Sequence, residues 1–331
     1  MSRDREPGRE WPAIGVDIGG GKIALGVVAR RGEVTELEEY PTLAQRGPEA
    51  IIVELIQRLA ELREKAESEP LAIGVGICGQ VSMDRGAVLS SPNLPGWDNV
   101  PLRDRLERGL ELPVVVGNDV NVIALGEWSQ TTGQEVRDMV VVFIGTGLGG
   151  GVVADGRLLT GHLGHAAEIG HTTIVVDGRE CSCGNRGCLE AYVGGWALAK
   201  QARQAAERDP ELGAGIIERA GGLDRIRSET VAEAFDDGDD LAAQIVEEAG
   251  HHLGAGMVGV VNGFNPQRLV IGGGVIDGIP RLLEMAEAHV REYALDACTR
   301  DLEVHRARFG PEAGVIGGAV LARQAFADRS A

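Results

Sequence analysis

The sequence predicts an α/β protein built from two similar domains, and three observations support this prediction. Short apolar runs typical of strands alternate with helical patterns along the chain. A strand, a glycine-rich turn and a second strand, with "DIGGGK" at 17–22, recur about 125 residues later around "GTGLGGG" at 145–151. At 331 residues, the chain has the length of two domains of about 100–200 residues each. We therefore expect two related domains around a cleft.

The individual elements follow from apolar spacing and from glycine and proline signals. An opening hairpin is predicted at 13–28, and a second one at 139–159. Runs rich in Val and Ile predict buried strands at 71–77, 112–119 and 268–273. Helical apolar spacing predicts a helix from Pro48, where proline suits the first turn, and further helices at 189–207, 228–236, 239–262, 280–298 and 314–327.

Composition and charge argue against several classes of protein. The net charge is −18, which leaves no basic surface for a nucleic acid. No apolar run reaches the roughly 18–20 residues of a membrane span. The first residues are charged and lack the apolar core of a secretory signal. We therefore expect a cytoplasmic protein with neither a nucleic-acid nor a membrane partner.

The first glycine-rich turn offers bare backbone amides that an anion could approach. Gly19, Gly20 and Gly21 carry no Cβ, so phosphate oxygens could come close to the chain. Asp17 could hold Mg²⁺, directly or through water, and Lys22 could add positive charge. The same pattern is also explained by a tight hairpin with an exposed acid.

Two further glycine clusters suggest the rest of a nucleotide site. The second turn contains Thr146 beside Gly147, and the threonine hydroxyl can donate to a phosphate. A third cluster, "VIGGGV" at 270–275, ends a predicted strand at Gly273 and Gly274. Bare backbone at that point suits an adenine or a ribose packed close to the chain.

The segment "GNDVN" at 117–121 places Asn118 and Asp119 where a buried strand stops and a helix begins. In α/β folds, this position presents side chains to a ligand. Asp119 could orient a substrate hydroxyl and accept its proton during phosphoryl transfer. A helix cap is the alternative role for the same residue.

One histidine and three clustered cysteines have the composition of a structural zinc site. In a reducing compartment, such clusters are more often metal ligands or redox groups than disulfides. Four protein ligands would close a tetrahedral site, so the ion would brace a loop and would not activate water. Three buried or redox-active thiols are the alternative. The four candidate ligands are His171, Cys181, Cys183 and Cys188.

The loop that contains these ligands also has acidic neighbours. Glu168 precedes the histidine, and Glu190 follows the last cysteine. Carboxylates can bridge adjacent sugar hydroxyls, so a metal would hold a sugar-binding loop in place.

These motifs resemble the ROK family of sugar kinases and sugar-responsive repressors. The resemblance runs in order over about residues 13–320 and rests on "GVDIGGGK", "SPNLPGW", "GNDVN", "GTGLGGG", "EIGH", "CSCGNRGCLE" and "IGGGV". It implies a two-domain actin-like, ribonuclease H-like fold, with MgATP and a hexose meeting in the interdomain cleft.

The resemblance also implies roles for individual residues. Asp119 matches the catalytic base, and the zinc set matches the family's set residue by residue. His171 would ligate zinc with one ring nitrogen and face the sugar with the other. The residues that resemble the sugar-binding set are Asn93, Asn118, Asp119, Glu168, His171 and Glu190.

Two departures from the family pattern bear on function. The first phosphate turn of the family usually has Thr where this chain has Gly21, so one hydroxyl donor is missing and nucleotide affinity should be weaker. The repressors carry a DNA-binding helix-turn-helix before the kinase-like fold, whereas about a dozen polar residues precede the first strand here. Because of this short segment and the negative net charge, we do not expect the protein to bind DNA.

The sequence therefore predicts an ATP-dependent hexokinase, most similar to glucokinases, that phosphorylates the C6 hydroxyl of an aldohexose. Other hexoses or N-acetylhexosamines remain alternative substrates, and a non-catalytic, zinc-braced sugar-sensing protein is the alternative class. Polyphosphate is a less favoured donor. The expected domains are a tail at 1–12, a smaller domain at 13–118 plus 312–331, and a larger domain at 119–311 with the zinc loop at 171–188. The resemblance favours a homodimer or a homotetramer.

Overall fold

The structure is a computed structural model that describes residues 11–29, 32–131, 136–308 and 311–329. Most of the predicted N-terminal tail, residues 1–10, lies outside these ranges. The strands are β1 (Ala13–Ile18), β2 (Lys22–Val28), β3 (Val34–Pro41), β4 (Ile73–Ile77), β5 (Gln80–Ser82), β6 (Ala87–Ser90), β7 (Val114–Asn118), β8 (Met139–Ile144), β9 (Leu148–Ala154), β10 (Arg157–Leu158), β11 (Arg268–Gly272) and β12 (Glu303–Arg306). The helices are α1 (Gly47–Lys65), α2 (Leu102–Leu110), α3 (Asp119–Thr131), α4 (Glu190–Val193), α5 (Gly195–Arg208), α6 (Ala214–Ala220), α7 (Ser228–Asp236), α8 (Asp240–Phe264), α9 (Gly274–Gly278), α10 (Arg281–Tyr293), α11 (Asp296–Thr299) and α12 (Pro311–Arg329).

Two five-stranded sheets share one topology. The first has the order β3-β2-β1-β4-β7, in which β2 is antiparallel to both neighbours and β1, β4 and β7 are parallel. The second has the order β10-β9-β8-β11-β12, in which β8, β11 and β12 are parallel. The shared order confirms the predicted α/β repeat.

The chain divides into two compact units. The first comprises the described residues up to Arg137, Gly151–Ala166 and those from Arg308 onward; the second comprises Asp138–Gly150 and Ala167–Ala307. This division differs from the expected boundary at residue 119, because α3 belongs to the first unit.

Glycines let α12 pack closely within the first unit. A Cβ on Gly15 of β1 would lie 1.7 Å from the carbonyl oxygen of Val315, and one on Gly317 of α12 would lie 1.7 Å from that of Val122 in α3. Side chains at these positions would force the backbones apart, so glycine is required there. The buried Arg323 guanidinium adds hydrogen bonds to the carbonyl oxygens of Trp11, Val28 and Ala29.

The core of the first unit includes one face of α1, the helix that the sequence predicted from Pro48. Ile51, Ile52, Leu55, Leu59 and Leu62 are buried, at the spacing of one helical face. Burial of each such side chain stabilises the fold by about 1.5–3 kcal/mol. This cluster also includes buried residues of β1, β2, β4, β7 and α2.

Two predicted helices of the second unit are each interrupted. The helix expected at 189–207 breaks at Gly194, whose ψ of 148° is extended. The helix expected at 280–298 ends at Tyr293, because Ala294 is extended, and a short α11 follows. Within the described ranges, no helix is long and apolar enough to cross a membrane.

Candidate active site

The first glycine-rich turn, residues 19–22, joins β1 to β2. The Gly19 amide donates to the carbonyl oxygen of Lys22 at 2.9 Å. Buried Thr42 fixes the turn from one side, since its hydroxyl donates to Gly19 O at 2.7 Å and its amide to Gly21 O at 3.0 Å. The amides of Gly20 and Gly21 donate to no described residue. Two consecutive amides are thus left for an anion.

The other predicted residues around this turn have different environments. The exposed Asn93 lies against the turn, because a Cβ on Gly20 would be 2.9 Å from Asn93 Cβ. The Lys22 ammonium group pairs with the Glu39 carboxylate of β3 at 3.1 Å. Its charge is therefore shared with an acid, which reduces what it could offer a phosphate.

Asp17 is the acid that precedes this turn in β1. Burial, and secondarily the Asp119 carboxylate, raise the pKa of Asp17 from 3.8 to about 7, against an opposing effect of Lys22. Gly314 of α12 packs directly on the carboxyl group, since a Cβ there would lie 2.6 Å from Asp17 Cγ. A half-buried carboxyl group beside a second carboxylate is an oxygen donor set that suits Mg²⁺.

Asn118 and Asp119 lie where β7 ends and α3 begins. The Asn118 Nδ2 atom donates to Asp119 Oδ1 at 2.9 Å and to Gly79 O at 3.2 Å. Its Oδ1 accepts from the amides of Val120 at 3.0 Å and Asn121 at 3.2 Å, which is an N-cap. The Val120 amide also reaches Asp119 Oδ1 at 2.9 Å. Asn118 thus caps the helix and orients the Asp119 carboxylate, with both its donors and both its acceptor positions in use.

The second glycine-rich turn, residues 145–148, joins β8 to β9. The carbonyl oxygens of Gly145 and Thr146 accept from the amides of Gly195 at 2.9 Å and Trp196 at 3.0 Å, at the start of α5. The amides of Thr146 and Gly147 and the exposed Thr146 hydroxyl have no partner among the described residues. This turn repeats the arrangement of the first and adds a hydroxyl donor.

The Leu148 amide at the end of this turn donates to the Glu190 carboxylate at 2.9 Å. Glu190 begins α4 and is only 7% exposed. Its other oxygen accepts from the Ser182 hydroxyl at 3.0 Å and from Trp196 Nε1 at 3.1 Å.

Glu168 precedes a 3₁₀ turn, Ile169–His171, and its side chain is exposed. The turn approaches β9 closely, because a Cβ on Gly170 would lie 2.0 Å from Leu148 O. The glycine of "EIGH" therefore allows this turn to pack beside the second glycine-rich turn.

The four predicted zinc ligands come together, with one ligand atom from each lying within 4.8 Å of every other. With zinc–sulfur bonds of about 2.3 Å, a tetrahedral site separates its sulfurs by about 3.8 Å. The Cys183 and Cys188 sulfurs are 3.8 Å apart, and Cys181 Sγ is 3.7 Å from His171 Nδ1. A disulfide needs about 2.05 Å, so these thiols are free, and their spacing fits a metal.

The third glycine cluster ends β11. Gly273 has a φ of +99°, and a Cβ there would lie 2.4 Å from Ile144 O, so only glycine fits. Gly274 lines a cavity of about 260 Å³ between α7 and α9, together with Ser228, Glu229 and Gly278. The cavity has room for part of a nucleoside. The Glu229 carboxylate in its lining could accept hydrogen bonds from ribose hydroxyls.

Sequence reasoning missed several residues that hold these groups. Thr42 and Glu39 were missed because β3 was not predicted. Ser182 lies inside the cysteine motif and Trp196 follows it, but nothing in their spacing indicated that they meet Glu190. Gly314 had a signal, since a glycine in a helix often marks a close approach.

The duplicated sheet topology defines an actin-like ATPase fold, and the nucleotide-type turns and acids fit that class. A model of the ROK family matches residues 13–325, and the chain belongs to this family. The resemblance stated from the motifs is confirmed.

Similar proteins include both glucokinases and a transcriptional regulator. A glucokinase of Halalkalibacterium halodurans is 35% identical over 315 residues, which cover 94% of each chain. A crystal structure of a ROK family glucokinase from Streptomyces griseus, in complex with glucose and AMPPNP, matches with a TM-score of 0.81 at 36% identity, over 95% of this chain and 99% of that one. The DNA-binding transcriptional dual regulator NagC of Escherichia coli is 29% identical over 96% of this chain and 77% of its own.

Proposed function

We propose that this protein is an ATP-dependent hexokinase that transfers the γ-phosphoryl group to the C6 hydroxyl of an aldohexose, with glucose preferred. The likeness to glucokinases over nearly the whole chain carries the proposal. The geometry agrees with it, because two turns each leave consecutive amides for phosphates and an oriented carboxylate follows β7.

In the first unit, Asp119 would orient the sugar hydroxyl and take its proton as the phosphoryl group is transferred. A strongly raised pKa is unnecessary, because the hydroxyl loses its proton late in a loose transition state. Asn118 would fix the carboxylate, and Gly20 and Gly21 would donate to phosphate oxygens. Asp17 would hold Mg²⁺, which neutralises charge on the phosphates when bound.

In the second unit, Thr146 and Gly147 would donate to phosphates, and the cavity at Gly274 would take the nucleoside. His171 Nδ1, which is 3.7 Å from Cys181 Sγ, would ligate zinc and leave Nε2 for a sugar hydroxyl. Glu168, Glu190 and, in the first unit, Asn93 would complete the sugar contacts. Zinc would hold the loop at 171–188 in place and supply no reactive group.

The proposal is tested by ADP release from MgATP across glucose, mannose, fructose, allose, N-acetylglucosamine and N-acetylmannosamine, with a no-sugar blank. We expect glucose to dominate, and 6-deoxyglucose, which lacks the acceptor hydroxyl, to be inert. ADP release dominated by another sugar would support a sugar kinase but would change the proposed substrate. No release with any sugar, from protein shown to be folded, would overturn the kinase.

A matched pair of variants tests the base. In Asp119→Asn, the amide oxygen can still accept from Asn118 and Val120, so the local structure is kept while the base is removed. We expect kcat to fall roughly 10²- to 10⁴-fold with sugar binding retained. Asp119→Ala should lose as much turnover. Near-normal turnover in Asp119→Asn would remove the assigned base.

The alternative is a sugar-responsive protein without kinase activity, and the likeness to NagC favours it. Sugar binding by calorimetry without ADP release would support this alternative. The cytoplasmic location and the homodimer or homotetramer stay predictions.

A further inference from the structure

The Glu190 carboxylate lies between two parts of the second unit to which separate roles are proposed. On one side is the second glycine-rich turn, residues 145–148, and on the other is the zinc loop, residues 171–188. Each carboxylate oxygen has its own partners, Leu148 N for Oε2 and Ser182 Oγ with Trp196 Nε1 for Oε1.

On the side of the turn, the contact fixes the backbone. The Leu148 amide donates to Oε2 at 2.9 Å, directly after the two amides that have no partner. Gly147 packs on the same oxygen, since a Cβ there would lie only 2.5 Å from it. Displacing the carboxylate would therefore release both Gly147 and Leu148.

On the side of the zinc loop, the carboxylate is tied to the segment that contains the ligands. Ser182, which donates to Oε1 at 3.0 Å, stands between Cys181 and Cys183. Cys181 Sγ itself lies 3.8 Å from Oε1, and Glu190 follows Cys188 by two residues. Backbone hydrogen bonds also close this turn, from Cys181 N to Asn185 O at 2.9 Å and from Gly184 N to Cys181 O at 3.0 Å. A metal bound by Cys181 and Cys183, which flank Ser182, would restrain the position of Ser182 further.

We propose that Glu190 is a positioning residue that couples the zinc loop to the phosphate-binding turn, so that the metal supports nucleotide binding as well as sugar binding. The inference rests on the proposed function in so far as the turn at 145–148 binds phosphates. It adds a role for Glu190 beyond the sugar contact that the family resemblance implies.

The chemistry of an amide at position 190 provides a sharp test. In Glu190→Gln, one orientation sets the NH₂ group against the Leu148 amide, and the other sets it against Trp196 Nε1–H. Either way two donors face each other, whereas the Ser182 hydroxyl can reverse and accept. Removing the indole donor in the double variant Glu190→Gln/Trp196→Phe allows the glutamine carbonyl to face Leu148.

We expect Glu190→Gln to raise KM for MgATP and the Kd for MgADP about tenfold, since a buried donor loses its partner. The matched control Trp196→Phe should change both constants by less than about threefold, because the carboxylate keeps its other donors. The double variant should return to within about threefold of wild type. A merely structural role predicts no such rescue, because the double variant removes more of the native packing.

Two results would overturn the coupling. One is an unchanged Kd for MgADP in Glu190→Gln, and the other is a double variant no better than the single one. Sugar-dependent ADP release by the wild type separates these results from failure of the proposed function. The Kd for MgADP needs no turnover, so it tests the turn even if the sugar is not found.

A second measurement avoids variants that fold poorly. Amide hydrogen exchange in wild-type protein, with zinc and after removal of zinc, is compared at Leu148 and at Val141 of β8. We expect loss of zinc to speed exchange at Leu148 at least about tenfold relative to Val141. An unchanged ratio in protein shown to have lost its metal would overturn the coupling.

Discussion

Gly314 in α12 provides a test of the environment of Asp17. A Cβ at residue 314 would lie 2.6 Å from both Asp17 Cγ and Oδ2, about 0.8 Å shorter than the 3.4 Å at which ordinary contact begins. Gly314→Ala must therefore displace either the helix or the carboxyl group. Such overpacking costs about 1–3 kcal/mol.

The helix itself gains from this substitution. Alanine in place of glycine in a helix stabilises by about 1 kcal/mol, so the net loss in the free energy of unfolding should be only about 0–2 kcal/mol. Activity should fall much further, because a displacement of about 1 Å in a positioned group costs about 10²-fold in rate. We therefore expect Gly314→Ala to reduce activity far more than it reduces the free energy of unfolding.

Gly259 of α8 is the matched control, because it is also helical and a Cβ there meets nothing within 4 Å. We expect Gly259→Ala to gain about 1 kcal/mol with unchanged kcat/KM. The assay is urea unfolding of each variant, with kcat/KM measured over a range of MgATP. If Gly314→Ala were as active as wild type and as stabilised as Gly259→Ala, the contact between α12 and Asp17 would be refuted.

Three further predictions concern pH, the first turn and the metal. Burial raises the pKa of Asp17 to about 7. Its contribution to stability is therefore largest below about pH 4 and is lost as pH rises towards 7. The free energy of unfolding should fall by about 4 kcal/mol over this range. In EDTA, Asp17→Asn should therefore gain in Tm over wild type between pH 5 and pH 8, and parallel Tm profiles would contradict this. Gly21→Thr, whose Cβ meets nothing within 4 Å, should lower KM for MgATP about threefold to tenfold by adding a hydroxyl donor, whereas Gly21→Ala should not; equal KM values in both would count against the phosphate role. Cys183→Ser should lose zinc by elemental analysis and raise the sugar KM, while Cys298→Ser, outside the cluster, keeps the metal; retained zinc in Cys183→Ser would reject the ligand set.

The sequence was informative where a local pattern has one structural solution. The cluster of one histidine and three cysteines was predicted because its members are close in sequence, and the distances among their ligand atoms are compatible with a metal ion. The face of α1 was found because five buried residues keep helical spacing. The two hairpins were found because glycine turns separate short strands of matching length.

The sequence was less informative where the outcome depends on distant partners. β3 reads "VTELEEYP", with mostly exposed acids and no alternation, so neither the strand nor its Glu39–Lys22 pair was predicted. Asn118 was expected to contact sugar, but its amide is engaged with the helix start and with Asp119. Its contact with sugar stays a prediction, since only a bound complex tests it.

The two glycine-rich turns share a backbone arrangement but are held by different side chains. Thr42, a neutral and fully buried residue of the first unit, fixes the first turn through its hydroxyl and its amide. Glu190, an acid next to the zinc loop, fixes the second. Because Thr42 belongs to the first unit and Glu190 to the second, we expect loss of zinc to leave protection of the Thr42 amide intact while Leu148 loses its own. The metal would then act on one phosphate contact and not on the other, and a nucleotide bound to zinc-free protein would keep only the donors at Gly20 and Gly21.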